Sequence, residues 1–131
     1  MKLNTMFAIT AILTFIGGVV IISLPAVLMQ FFTGRPLVDE APILYIQWFG
    51  VALLGYSVLT WRARSLSAVD ARRTVLIAMF VYCVVGAAVT GRFQFTGALN
   101  SWGWFFPGHL AALGLCYGYY LFLRKDLIGA E

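Results

Sequence analysis

The chain has 131 residues, 62% of them hydrophobic and 11% charged, with a mean hydropathy of +0.91. Soluble domains average about 25% charged residues, so there is too little polar surface here to cover a water-soluble globule. The net charge of +4 would suit a nucleic-acid partner in a soluble protein, but the basic residues stand in short intervals between apolar runs, where they orient a membrane protein instead.

Met1 to Asn4 is a short polar start carrying Lys2. The first apolar run covers about 6–32. It is longer than the roughly 7–15-residue core of a signal peptide, and no A-x-A-like cleavage site follows it. It reads as the first membrane span, with Gly17 and Gly18 in its middle and a kink near Pro25. The proline ring removes a backbone donor and crowds the preceding turn. Thr33 to Pro42 is turn-rich, with Gly34 and Pro36 as breakers. Asp39 and Glu40 stand where a second helix begins, and acids there complement the helix dipole. The second span covers about 41–61. Gln47 is its one strongly polar residue, and Gly50 and Gly55 are small residues that let a neighbouring helix approach.

Trp61 to Arg73 is the longest polar interval and holds Arg62, Arg64, Arg72 and Arg73. The third span follows over about 74–95 and contains Cys83 and Gly86. Its last residues overlap a turn-forming connection, Gly91 to Asn100. The fourth span covers about 102–123. It opens on Trp102, Trp104, Phe105 and Phe106 and closes on Tyr117, Tyr119, Tyr120 and Phe122, aromatic clusters that suit the two membrane interfaces. Gly114 and Gly118 in it form G-x-x-x-G, either a dimer seam or a close-packing face within one bundle.

The charges set an orientation. Lys2, the four arginines of the central interval, Arg124 and Lys125 make seven basic residues on one side, against Arg35 and Arg92 on the other. Seven against two in short loops puts both termini in the cytoplasm. The expected fold is all-α: a four-transmembrane-helix antiparallel bundle, one integral domain over 1–131, with short connections that pack sequence neighbours antiparallel.

Several stretches, in order, carry a resemblance. They are Leu24-Pro25-Ala26 with Phe31-Phe32-Thr33-Gly34, then Phe49-Gly50-Val51-Ala52-Leu53-Leu54-Gly55, then Trp61-Arg62-Ala63-Arg64 with Ala71-Arg72-Arg73, then Asn100-Ser101-Trp102-Gly103-Trp104. Over nearly its whole length the chain resembles a widespread family of small four-span bacterial inner-membrane proteins. The resemblance implies a four-helix fold in the cytoplasmic membrane and implies no activity. Members often have an arginine where Gln47 stands, so no role of that arginine carries over.

The best candidates for chemistry form a polar set near the exterior face: Gln47, Arg92, Gln94, Asn100 and His109. At about 1.5 Å per residue, Gln47 and His109 each lie roughly 10 Å inside their helix starts and so share a level. Polar and ionisable groups within spans face the interior and mark function, or else bond between helices. The set is therefore either an externally open pocket for a small or lipidic ligand, or a set of structural hydrogen bonds. His109 alone suits haem iron or proton relay, yet no second histidine exists to complete an axial pair. Cys83 and Cys116 lie in apolar runs without C-x-x-C spacing, which suits neither a metal site nor redox chemistry. No carboxylate falls inside a span, which argues against proton-coupled export. No cofactor and no catalytic set is expected. The reading is a non-enzymatic accessory or assembly subunit whose partners are the bilayer and a larger membrane complex or itself. The alternatives are a ligand carrier and a haem or quinone protein.

Overall fold

The computed structural model describes residues 2–36, 40–124 and 128, and among these there are helices and turns but no strand. The chain divides into two compact units, Met1–Arg64 and Ser65–Glu131.

In the first unit, α1 (Leu3–Ser23) and α2 (Pro25–Thr33) are separated at Leu24, and α3 (Glu40–Ala63) returns along α1. The single kinked span expected over 6–32 is thus two helices. The cause is local: Leu24 leaves the helical region (φ −133°, ψ 46°), and Pro25, without an N–H, opens the next helix at its first position. Gly34 ends α2 in the left-handed conformation, φ +71°, with its N–H on the Gln30 carbonyl at 2.8 Å. That conformation is open to glycine and strained for most other residues. Asp39, expected at the start of the second helix, lies outside the described residues.

α1 and α3 run antiparallel and touch backbone to backbone. A Cβ placed on Gly18 would stand 2.9 Å from the Gly50 carbonyl oxygen, and one on Gly50 would stand 3.0 Å from the Gly18 carbonyl oxygen. Gly50 therefore does what small residues do at helix crossings. Gly55 does not: among the described residues nothing stands within 4 Å of the place its Cβ would take. Five residues turn a helix by about 140° beyond one full turn, so Gly55 faces away from the side that Gly50 presents to α1.

In the second unit, α4 (Val69–Phe95) packs on α5 (Phe105–Gly118). α4 begins five residues before the expected Thr74, because Ala71, Arg72 and Arg73 are ordinary helix residues and Asp70 in the first turn complements the dipole. With α3 running on to Ala63, the basic interval shrinks. Arg62 lies on α3, and Arg72 and Arg73 lie on α4. Arg72 is 2% exposed, so its side chain is part of the packed interior rather than a purely solvated topology signal.

α4 stops on a glycine cap. The Ala98 N–H reaches the Phe93 carbonyl, the Gly97 N–H reaches the Gln94 carbonyl, and Gly97 has φ +71°. The chain then passes through a 3-10 turn (Ser101–Trp104) into α5, which tolerates Pro107 because the proline falls in the first turn. A π turn (Tyr119–Leu123) continues from α5, closed by the Arg124 N–H on the Tyr119 carbonyl at 3.1 Å.

The seam of this unit is made of small residues. A Cβ on Gly86 would stand 3.0 Å from Leu110, one on Gly114 would stand 3.4 Å from the Cys83 Cβ, and one on Gly118 would stand 3.1 Å from the Phe80 ring. Gly114 and Gly118 thus face α4.

α1, α3 and α4 are long and apolar enough to cross a membrane. α5 alone, 14 residues, measures about 21 Å, short of a hydrocarbon core of about 30 Å. The fourth span expected over 102–123 is therefore three consecutive helical pieces of different pitch. Lys125, expected to close it, lies outside the described residues.

Candidate functional site

The five residues of the expected polar set fall in both units, Gln47 in the first and Arg92, Gln94, Asn100 and His109 in the second. Their local roles are distinct.

Gln47 completes the kink. Pro25 has no N–H and Leu24 is not helical, so carbonyls in the last turn of α1 lack their usual donors. Gln47 Nε2 donates to one of them, the Ile22 carbonyl oxygen, at 3.2 Å. In hydrocarbon an unsatisfied carbonyl is costly, and a glutamine is long enough to reach across a close helix contact. Replacing Gln47 by Leu should cost about 0.6 kcal/mol, and at most about 1.7, the range for interhelical bonds in membranes. Reversible unfolding in mixed detergent micelles would measure it.

Gln94 and Asn100 brace the turn between α4 and α5. Gln94 Nε2 donates to the Asn100 carbonyl at 3.0 Å, and Asn100 Oδ1 accepts the Trp102 N–H at 3.0 Å, capping the 3-10 turn. Gly103 is buried beneath them, and a Cβ there would run into Gln94 Oε1 and Leu99. Arg92 is exposed in the last turn of α4, where a cation complements the dipole.

His109 sits one turn into α5. Its Nδ1 is 2.8 Å from the Phe105 carbonyl oxygen, which can only accept, so Nδ1 carries the proton and a neutral ring keeps its lone pair on Nε2. The ring stacks on Phe105, centroids 4.9 Å apart. Cys83 is buried and Cys116 half-buried, and both are free thiols. Among the described residues no group of three or more His, Cys, Asp or Glu side chains is placed to hold a metal.

Threonine hydroxyls inside the helices bond back to their own backbone. Thr14 donates to the Thr10 carbonyl at 2.8 Å, Thr60 to Tyr56 at 2.7 Å and Thr90 to Gly86 at 2.7 Å. This pattern lets a polar side chain lie in hydrocarbon without a partner helix.

Two features were not anticipated from the sequence. One is Gly18 as the partner of Gly50. Its signal was present in the Gly17-Gly18 pair, but the pairing depends on which helix lies opposite. The other is a groove of about 330 Å³ in the first unit, between α1 and α3 on the side of the crossing toward Arg62. Its walls are almost wholly apolar.

A family model described as a domain of unknown function (DUF8292) matches residues 1–121. No curated protein and no solved structure matches the chain.

Proposed function

The chain belongs to the DUF8292 family, whose description assigns no activity, and from the geometry of its own helices we propose a non-enzymatic integral membrane protein. It acts by packing against other membrane helices, those of a larger complex or of a second copy. The observation that carries this is the fate of the polar groups: Gln47, Gln94, Asn100 and the helix threonines all bond to this chain's own backbone. What the helices present outward is large and apolar, including Tyr45, Trp48 and Leu115 at 75%, 66% and 77% exposure. Such a surface needs lipid or protein against it.

The proposed architecture has four crossings, both termini in the cytoplasm of a bacterium and the chain in its inner membrane. The 3-10 turn, α5 and the π turn follow one another without a break, and together they reach roughly 35 Å, enough for a core of about 30 Å. The bias of seven basic residues against two supports the orientation.

A photo-crosslinking side chain placed at Trp48 or Leu115 in living cells tests the packing role. The expected result is one discrete, heavier protein product from at least one position. Crosslinks to lipid alone from both positions would overturn it. A second reading, a carrier of a small or lipidic ligand, draws on His109, because its contact with Phe105 engages only Nδ1.

A further inference from the structure

The groove in the first unit has a cause in the helix crossing. At Gly18 and Gly50 α1 and α3 meet backbone to backbone. Seven residues away on each helix, about 10 Å along the axes, Ala11 and Ser57 face the same space. Both are small and both are buried, at 2% and 7% exposure. Neither side chain is large enough to fill the space between the helices there. Ile12 and Phe15 from α1 and Val58 and Trp61 from α3 form the remaining apolar lining.

The open end of the groove is basic. Arg62 lines it, and Arg64 lays its guanidinium over the Trp61 ring, 4.3 Å from the centroid. The antiparallel register brings Lys2 to the same end of the hairpin. Lys2, Arg62 and Arg64 therefore gather three cations at one end of the hairpin. Trp61 and its stacked arginine have the character of an interfacial anchor. The slot is therefore apolar along its length, enters from the membrane interface and carries cations at its mouth.

We propose that this groove binds one anionic phospholipid of the leaflet at the basic end, with an acyl chain against Ile12, Phe15 and Val58 and the phosphate against Arg62. Charge complementarity decides the occupant. A zwitterionic lipid would satisfy the walls but place a choline beside the arginines, whereas an anionic headgroup satisfies both. The volume, about 330 Å³, lies at the small end of the range of ligand pockets, roughly 300–1,000 Å³, which suits a single chain.

The inference rests on the membrane reading above, and the two fail differently. A chain that fractionates away from membranes fails both. A membrane-embedded chain that holds no anionic lipid fails only the inference. The test uses the full chain in nanodiscs of phosphatidylglycerol and phosphatidylcholine with matched acyl chains, released into mild detergent and weighed by native mass spectrometry. The expected result is one phosphatidylglycerol retained in preference to phosphatidylcholine. Arg62→Gln should lower its retention about fivefold, the worth of one basic residue near an anionic headgroup. Ile12→Trp, a change at a half-exposed wall position, fills the slot and should lower it as much. If that variant is not recovered folded, Val58→Trp fills the slot from the other wall. Arg73→Gln changes an exposed arginine of the second unit and should have no effect. Three results overturn the proposal: equal retention of both lipids, an equal loss with Arg73→Gln, or a filled slot that leaves retention unchanged.

Discussion

Gly50→Val should break the packing of α1 against α3, and Gly55→Val should leave it intact. A Cβ on Gly50 meets Ile22 Cγ1 at 2.8 Å, the Gly18 carbonyl oxygen at 3.0 Å and Ile21 at 3.1 Å. Side-chain overpacking in a core costs about 1–3 kcal/mol because side chains can shift. Here one of the obstructing atoms is backbone, so relief requires the helices to move apart. That movement also breaks the Gln47 bond to Ile22 and empties the contact of Leu54 on Gly18. The expected loss exceeds about 3 kcal/mol, the upper end of ordinary overpacking. Valine at Gly55 enters open space and should change stability by less than about 0.5 kcal/mol. Steric trapping of a doubly tagged chain in bicelles would measure both. Equal effects of the two substitutions would mean that the Gly18–Gly50 crossing is not what holds the hairpin.

The second large effect concerns orientation. Arg62→Gln, Arg64→Gln and Arg73→Gln, combined with Thr96→Lys and Ala98→Lys, change the basic count from seven against two to four against four. Arg72 is left alone because it is buried. With the bias removed, the chain should insert both ways round. A Ser65→Cys reporter, labelled by a membrane-impermeant maleimide from outside the cell, should rise from almost no labelling to about half of the chains. Unchanged labelling would show that orientation is set by something other than these arginines.

The long apolar helices of this chain are legible in its residues, and the contacts between them are not. Three long apolar helices follow from run length. The break at Leu24–Pro25 follows from proline chemistry. The close of α2 at Gly34 follows from the one residue type at ease with φ +71°. The basic interval is longer in the sequence than the gap between α3 and α4, because arginine and alanine favour helix wherever they stand, so a drop in hydropathy does not mark the end of α3 or the start of α4. Gly50 and Gly55 looked alike because each is a glycine inside an apolar run, and only the position of α1 distinguishes them. Gln47 read as a candidate ligand contact. Its bond to Ile22, 25 residues away in sequence, depends on the register between α1 and α3, which no local pattern encodes. Gln94 and Asn100 stand in the same candidate set, and in the structure their bond braces the turn between α4 and α5.

The most direct measurement is native mass spectrometry of the chain extracted gently from its own membrane. A packing role predicts a mass above the 14.5 kDa of one chain, by a second copy or by another protein. A lone 14.5 kDa chain in every mild detergent, with no protein crosslinked at Trp48 or Leu115, would contradict that role.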